Sequence, residues 1–225
     1  MPPTISSSNS ADEHALRAAL VAVMQRLERD GLNRAAAGNA SLRCGDGLLI
    51  TPSGVLSGDL SEDMVVPLAR DGRPRDGRHR PSSEWRFHVG IYAARPEAGA
   101  VVHVHAPYST ALACARREIP PFHYMVAVAG GATIRCAPYA TFGTAALSDA
   151  VLAGLEGRRA CLLANHGLVA LGPDLPRALK LTIEVEELAK QYVLALGAGG
   201  PVLLSDGEIA EALKQFETYG QQQQG

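Results

Sequence analysis

A valine-rich stretch that carries two histidines, residues 100–105, constrains the fold more than any other part of the sequence. Its β-branched side chains favour a strand, and Pro107 ends that strand because proline has no N–H to give to a ladder. Side chains on a strand alternate between its two faces, so His103 and His105 point to one face and the neighbouring valines to the other. Two imidazoles on the same face, one strand step apart, can bind a single metal ion.

A third histidine, His166, ends another apolar run, where Gly167 interrupts the pattern. Three histidines on two strand ends are a common arrangement at catalytic zinc sites, in which a fourth position stays open for water or substrate. The alternative is that the histidine pair is a chance feature of a valine-rich strand, with each ring bonded to a carbonyl oxygen. The pattern alone leaves both interpretations open.

Composition is that of an ordinary globular protein, with 47% hydrophobic and 20% charged residues in a chain of 225. The formal net charge of −2 offers no whole-chain argument for binding nucleic acid or an anionic membrane. No apolar run is long enough for a transmembrane helix, and the first residues lack the pattern of a secretory signal. The 4 cysteines are widely spaced, as separate thiols in a reducing compartment would be, so we expect a cytoplasmic protein.

The order of predicted elements indicates a mixed α/β fold. Several hairpin-like strand pairs, such as the one over residues 38–51, interrupt the strict alternation that a doubly wound parallel sheet would show. We therefore predict a central, mainly antiparallel β-sheet sandwiched by helices. We expect it to form a single domain over residues 10–220, with disordered tails at residues 1–9 and 221–225.

Three short polar segments are candidates for binding an anion. Two of them end paired strands, where small residues can turn backbone N–H groups outward, although ordinary turn chemistry explains them as well. The third opens a predicted helix, whose first N–H groups and dipole favour an anion. On that helix His88 is expected to pack in the interior, because the metal-binding histidines lie on strands. The residues of the three segments are Gly38, Asn39, Ser53, Gly54, Ser82 and Ser83.

Five short motifs occur in order along the chain, and together they match those of a known protein family. They read Gly38-Asn39-x-Ser41, Ile50-Thr51-Pro52-Ser53-Gly54, Ser82-Ser83-Glu84, His103-x-His105 and His166-Gly167. On these residues the chain resembles the class II aldolase/adducin family. Two longer strings, PSSEWRFH from residue 81 and CAPYATFGT from residue 136, resemble the L-fuculose-phosphate aldolase branch of that family.

The resemblance implies a metal site and an assembly. One Zn²⁺ per subunit, with Mn²⁺ and Co²⁺ as alternatives, would be bound by His103, His105 and His166, and Glu84 would be close enough to serve as a fourth ligand. The fold would assemble as a homotetramer with active sites at the subunit interfaces. The phosphate of a small phosphorylated sugar would bind among the three polar segments.

The resemblance also implies a reaction, that of a carbon–carbon lyase. The substrate would be L-fuculose 1-phosphate or a related 5-deoxypentulose 1-phosphate, cleaved to dihydroxyacetone phosphate and an aldehyde through a zinc-stabilised enediolate. Glu84 would transfer protons, while Tyr124 and Tyr219 would reach in from neighbouring subunits, Tyr124 as the acid on the aldehyde side. Phe142 would shape the aldehyde pocket. The chain has no lysine before Lys180, which disfavours a Schiff-base aldolase.

Two alternatives remain within this resemblance. An epimerase of the L-ribulose-5-phosphate 4-epimerase type would use the same metal to break and remake an aldol bond. An adducin-like protein would keep the domain as a scaffold without catalysis. A scaffold has no reason to keep Glu84 together with the three histidines, and all of them are present.

Overall fold

The computed structural model describes residues 7–218. Its strands are β1 (Asn39–Cys44), β2 (Gly47–Ile50), β3 (Val66–Leu68), β4 (Ala100–Val104), β5 (Cys136–Ala137), β6 (Ala160–Leu163) and β7 (Gly167–Gly172). Its α-helices are α1 (Ser7–Arg29), α2 (Trp85–Ala94), α3 (Pro107–Cys114), α4 (Ala145–Gly154), α5 (Leu175–Gly197) and α6 (Asp206–Thr218), and short 3-10 helices cover Glu62–Met64 and Tyr124–Ala129. Within the described residues, no helix combines the length and the apolar character needed to cross a bilayer.

The strands form one sheet in the order β3-β2-β1-β4-β7-β6-β5, which places β4 at its centre. Neighbouring strands pair antiparallel, except that β5 runs parallel to β6. The predicted mainly antiparallel sheet is therefore confirmed. Pro67 lies in β3 at one edge of the sheet, where a missing N–H costs no ladder bond.

Helices cover both faces of the sheet. Helices α1, α3 and α5 pack on the face that carries Val102 and Val104, and α2 and α4 pack on the face that carries Val101. His103 lies on this second face, where its ring meets the ring of Phe87 on α2 edge-on at a centroid distance of 5.6 Å. The alternation predicted for the His-x-His strand and the sandwich of helices are both confirmed.

Two helices begin elsewhere than the sequence predicts. Residues 7–9, assigned above to a disordered tail, belong to α1, since a further polar turn costs little once the apolar stripe of a helix is packed. Helix α2 begins at Trp85, with Glu84 at its N-cap position and no side-chain cap. The N–H of Ser82 donates to the carbonyl of Thr51 at 3.0 Å. This bond attaches the serine segment to the chain after β2, so the helix starts later.

A buried carboxylate on α5 anchors the helix that follows the His-x-His strand. Glu186 accepts hydrogen bonds from the backbone N–H groups of Tyr108 and Ser109 at 2.8 Å each, at the start of α3. We expect Glu186→Ala to lower the free energy of unfolding by about 2–3 kcal/mol, because two buried donors lose a charged acceptor. Chemical denaturation would measure this, with Glu187→Ala on the exposed side of α5 as the control. Equal losses in both variants would contradict the anchoring role.

Candidate metal centre

Three histidines converge at one end of the central strands. His103 is on β4, His105 lies just beyond its end, and His166 is in the tight turn between β6 and β7. Because β4 and β7 pair antiparallel, this turn lies beside the end of β4. The three ring centroids are 4.8 to 4.9 Å apart, and the Nε2 atoms of His103 and His105 are 3.0 Å apart. The strand ends thus bring together the histidines that the sequence singled out.

Glu84 completes the cluster from the start of α2. Its Oε2 is 3.0 Å from Nε2 of His103, and its Oε1 is 3.2 Å from Nε2 of His166. The four ligand atoms of Glu84, His103, His105 and His166 all lie within 4.8 Å of one another. The glutamate is 6% exposed, and His103 is fully buried. A carboxylate and three imidazoles therefore surround one small volume at the edge of the core.

The spacing of these atoms fits a divalent cation. Bonds of about 2.0–2.1 Å in a tetrahedral site place neighbouring ligand atoms about 3.3 Å apart, close to the shortest contacts of 3.0 and 3.2 Å here. Oε1 of Glu84 is buried and accepts no hydrogen bond from any residue that the structure describes. A bound cation would satisfy this oxygen, so the donor set fits a metal site.

The protonation states also suit a cation. Burial lowers the pKa of His105 to about 4, and repulsion from His103 and His166 acts in the same direction. Burial and then His103 lower the pKa of His166 to about 4 as well. Burial alone would raise the pKa of Glu84, but attraction to His103 and His166 outweighs it and holds this pKa well below its usual range. Burial alone would lower the pKa of His103, but attraction to Glu84 outweighs it and raises this pKa. At neutral pH the cluster therefore offers an ionised carboxylate and the lone pairs of His105 and His166, and a cation would displace a proton from Nε2 of His103.

Hydrogen bonds outside the cluster hold the histidines in place. Nδ1 of His103 donates to the carbonyl of Leu168 at 2.9 Å, which leaves Nε2 free to face the other ligands. The turn that carries His166 includes Asn165 in the left-handed conformation, with φ of 55°, which asparagine tolerates better than most residues. Oδ1 of Asn165 accepts a hydrogen bond from Nε of Arg116 at 2.9 Å. This contact ties the turn to the end of α3.

A cleft of about 330 Å³ lies above the cluster. Its walls include Glu84, His105 and His166 on one side and Phe142 at the mouth, where Phe142 is 65% exposed. The six residues of the three polar segments line the same cleft: Gly38, Asn39, Ser53, Gly54, Ser82 and Ser83. Residues far apart in the sequence thus form one polar wall next to the cluster of three histidines and Glu84.

Gly38 shows how closely this wall is packed. Its φ is +71°, and a Cβ there would meet the Asn33 amide at 2.3 Å and the His103 carbonyl oxygen at 2.6 Å. Only glycine fits this position, both for backbone conformation and for space. The absence of a side chain lets the backbone at Gly38 pass directly between the Asn33 amide and the backbone of His103.

Of the two predicted catalytic tyrosines, the structure describes only Tyr124, which does not line this cleft. Tyr124 begins a 3-10 helix, is 55% exposed and stacks on His123 at a centroid distance of 4.8 Å. It is absent from the cleft lining formed by the described part of its own chain. Tyr219 lies outside the described residues. Tyr139 does line the cleft, and sequence reasoning missed it although it stands in the string that begins at residue 136.

The sequence and the fold of this chain were both compared with those of known proteins. Residues 18–193 match the family model described as class II aldolase and adducin N-terminal domain. The 5-methylthioribulose-1-phosphate/5-deoxyribulose-1-phosphate aldolase of Rhodospirillum rubrum is 54% identical over 206 residues, covering 92% of this chain and 93% of that protein. The L-fuculose phosphate aldolase of Escherichia coli K12 is 50% identical over 195 residues, covering 86% and 90%. A solved structure of L-fuculose 1-phosphate aldolase covers 95% of this chain and 98% of its own, with a TM-score of 0.87 and 37% identity. The chain therefore belongs to the class II aldolase and adducin family.

Proposed function

We propose that this chain is a metal-dependent aldolase that cleaves a ketose 1-phosphate to dihydroxyacetone phosphate and an aldehyde. The observation that carries this proposal is the cluster of Glu84, His103, His105 and His166, whose ligand atoms lie within 4.8 Å of one another beneath a polar cleft. The two aldolases named above act on L-fuculose phosphate and on 5-deoxyribulose or 5-methylthioribulose 1-phosphate. Their shared substrate class is the one we assign to this chain.

The metal we propose is Zn²⁺, one per chain, with Mn²⁺ and Co²⁺ as alternatives. His103, His105 and His166 would hold it, with Glu84 as a fourth ligand before substrate enters. When bound, a divalent cation polarises a carbonyl group and stabilises the negative charge that develops as the carbon–carbon bond breaks. Three neutral nitrogen ligands leave the cation its full charge, which suits an anionic product fragment.

The polar wall would bind the phosphate and so place the sugar over the cluster. Ser53, Ser82 and Ser83 offer hydroxyl groups, and Gly38 and Gly54 bring the backbone close to the cleft. Binding at the phosphate end orients the reacting carbons and lowers the entropic cost of the reaction. The aldehyde end of the substrate would then lie towards the mouth of the cleft.

Glu84 would carry the proton at the carbon that loses its bond. It is ionised, its Oε1 accepts no hydrogen bond from the described residues, and it lines the cleft. Cleavage removes a proton from the hydroxyl group that becomes the aldehyde, and the dihydroxyacetone phosphate fragment takes up one proton on carbon. We assign the transfer at carbon to Glu84 and the transfer at the aldehyde oxygen to Tyr124, so one proton is removed and one is delivered and the two transfers balance.

A homotetramer with shared active sites would account for the position of Tyr124. In its own chain this tyrosine is exposed and away from the cleft, so a role at the aldehyde oxygen requires a cleft on a neighbouring chain. Several other large apolar side chains are exposed as well, among them Leu194, Val202 and Leu203. A contiguous patch of such side chains would mark a surface that contacts another chain. We place this assembly in the cytoplasm.

Replacement of Tyr124 by phenylalanine tests this role. Tyr124→Phe should slow cleavage of the ketose phosphate by about 10²-fold, because the hydroxyl group that becomes the aldehyde loses the phenol that exchanges its proton, the same phenol that acts as the acid in the reverse direction. Exchange of the carbon-bound proton of dihydroxyacetone phosphate with solvent does not involve that oxygen and should change little. The two rates are measured on the same preparation, so exchange serves as the internal control. Equal losses in both would contradict the assignment.

The function itself is tested with metal-loaded protein and a panel of sugar phosphates. We expect release of dihydroxyacetone phosphate from L-fuculose 1-phosphate, 5-deoxyribulose 1-phosphate or 5-methylthioribulose 1-phosphate, and none after chelation. L-Ribulose 5-phosphate in the same panel tests for an epimerase. Epimerisation without release of a three-carbon fragment, or no reaction with any substrate, would overturn the proposal.

A further inference from the structure

Behind Glu84, a line of hydrogen bonds leads into the interior between β1 and α2. Nδ2 of Asn39 donates to Oε2 of Glu84 at 3.0 Å, and Oδ1 of Asn39 is 2.6 Å from Nε2 of His88. Nδ1 of His88 is 2.7 Å from Oγ of Ser41, which is 2.9 Å from the hydroxyl of Tyr92. All five side chains are buried, and His88 and Ser41 are 0% exposed. Of these five, only Glu84 belongs to the proposed metal cluster.

The secondary structure explains why these side chains meet. Glu84, His88 and Tyr92 are four residues apart, so they lie along one face of α2. Asn39 and Ser41 are two residues apart on β1, so they point to the same face of the sheet. The polar row on the helix packs against the polar pair on the strand.

The chemistry of Glu84 sets the direction of every bond in this line. An ionised carboxylate can only accept, so the amide nitrogen of Asn39 must face it and the amide oxygen must face His88. Burial lowers the pKa of His88 to about 3, so its ring is neutral and has one N–H. That N–H must be at Nε2, which leaves Nδ1 to accept from Ser41. Ser41 in turn accepts from Tyr92.

We propose that His88, with its ring oriented by Ser41, is a positioning residue that keeps the amide nitrogen of Asn39 turned towards Glu84. Without the donor at His88, the amide of Asn39 can rotate and present its oxygen to the carboxylate, which would repel Glu84 from its place. The line orients groups and does not conduct protons, because the amide of Asn39 interrupts it. The importance of this for turnover rests on the proposed function of Glu84.

A first experiment determines the protonation of the His88 ring and needs no substrate. Nitrogen-15 NMR of the full chain, labelled at histidine, distinguishes the two neutral tautomers of a ring. We expect His88 to carry its proton on Nε2, with the signal assigned by its absence from a His88→Gln sample. A proton on Nδ1, or a charged ring at neutral pH, would overturn the proposal. This result does not depend on aldolase activity, so it stays decisive if the proposed function fails.

A second experiment compares two replacements of His88. Glutamine can still donate to Asn39 and accept from Ser41, whereas phenylalanine fills the space beside Phe87 and can do neither. We expect His88→Phe to lower kcat about 10- to 100-fold with KM and metal content unchanged, and His88→Gln to restore most of the loss. Loss of metal with an equal fall in kcat in both variants would show a merely structural role and contradict the proposal.

A double variant tests whether His88 acts through Asn39. If it does, His88→Phe should have no further effect on kcat in an Asn39→Ala background, because the group that it orients is gone. Independent, multiplying losses would overturn the proposal. If His88→Phe does not fold, Ser41→Ala replaces it in the same cycle, since it removes the donor that sets the ring of His88. Tyr92→Phe, at the far end of the line, should give the smallest loss of the series.

Discussion

Replacement of Glu84 by glutamine is expected to lower turnover of the ketose phosphate by about 10²- to 10⁴-fold, the range that one general acid–base group contributes. The amide has nearly the shape of the carboxylate and can still accept from Asn39 through its oxygen. It cannot take up and return a proton, so the carbon of the dihydroxyacetone phosphate fragment loses its proton carrier. The three histidines remain to hold the metal, so metal content should stay close to one per chain.

Three measurements on this variant separate chemistry from folding. Turnover and exchange of the carbon-bound proton of dihydroxyacetone phosphate should fall together, while bound metal stays. Glu62→Gln is a suitable control, because Glu62 pairs with His14 and is not a member of the candidate metal cluster. Unchanged turnover in Glu84→Gln would refute its role. Loss of metal, with exchange restored by excess Zn²⁺, would assign Glu84 to metal binding alone.

Replacement of His103 by alanine should have the second large effect, a loss of bound metal. His103 is fully buried, and its Nε2 lies 3.0 Å from both His105 and Glu84, so it joins the two halves of the cluster. Without it, two imidazoles and a carboxylate remain around an opened space, and the cation loses one of three nitrogen ligands. We expect metal content after dialysis to fall to a small fraction of one per chain, with lyase activity lost in proportion.

Elemental analysis after dialysis against a weak chelator measures this, with His14→Ala as the control. His14 is 74% exposed and pairs with Glu62, so its loss should leave the metal in place. Chelation of the unmodified protein should abolish activity, and adding Zn²⁺ back should restore it. If His103→Ala kept a full complement of metal, the ligand assignment would be wrong.

The elements of the fold were largely predictable because each depends on local rules. Alternation along the β4 segment was enough to put His103 and His105 on one face, and hairpin signals were enough to predict a mainly antiparallel sheet. The capping box of α6 is equally local: Ser205 and Glu208 bond each other's backbone N–H groups at 3.3 and 2.8 Å. The start of α2 was not predictable in this way, because a bond from Ser82 to Thr51, far away in sequence, delays it.

For the candidate site as well, the sequence identified residues but not the contacts between them. The sequence motifs named the histidines, Glu84 and the polar segments, but their convergence on one cleft depends on the pairing of β1, β4 and β7. The link from Glu84 through Asn39 to His88 was missed. Its signal was present as a polar row at every fourth residue of α2 and a polar pair on β1. No local rule states that the two rows face each other.

By itself, the sequence determined which side chains share a face of a strand or helix, because backbone periodicity alone dictates this. It also determined that three imidazoles and a carboxylate were available for a metal. Only the tertiary structure decided that these groups meet within 4.8 Å, that Asn39 turns its nitrogen to Glu84, and that Tyr124 lies away from the cleft of its own chain. The physical reason is that such contacts join residues tens of positions apart, and their distances follow from packing of the whole core.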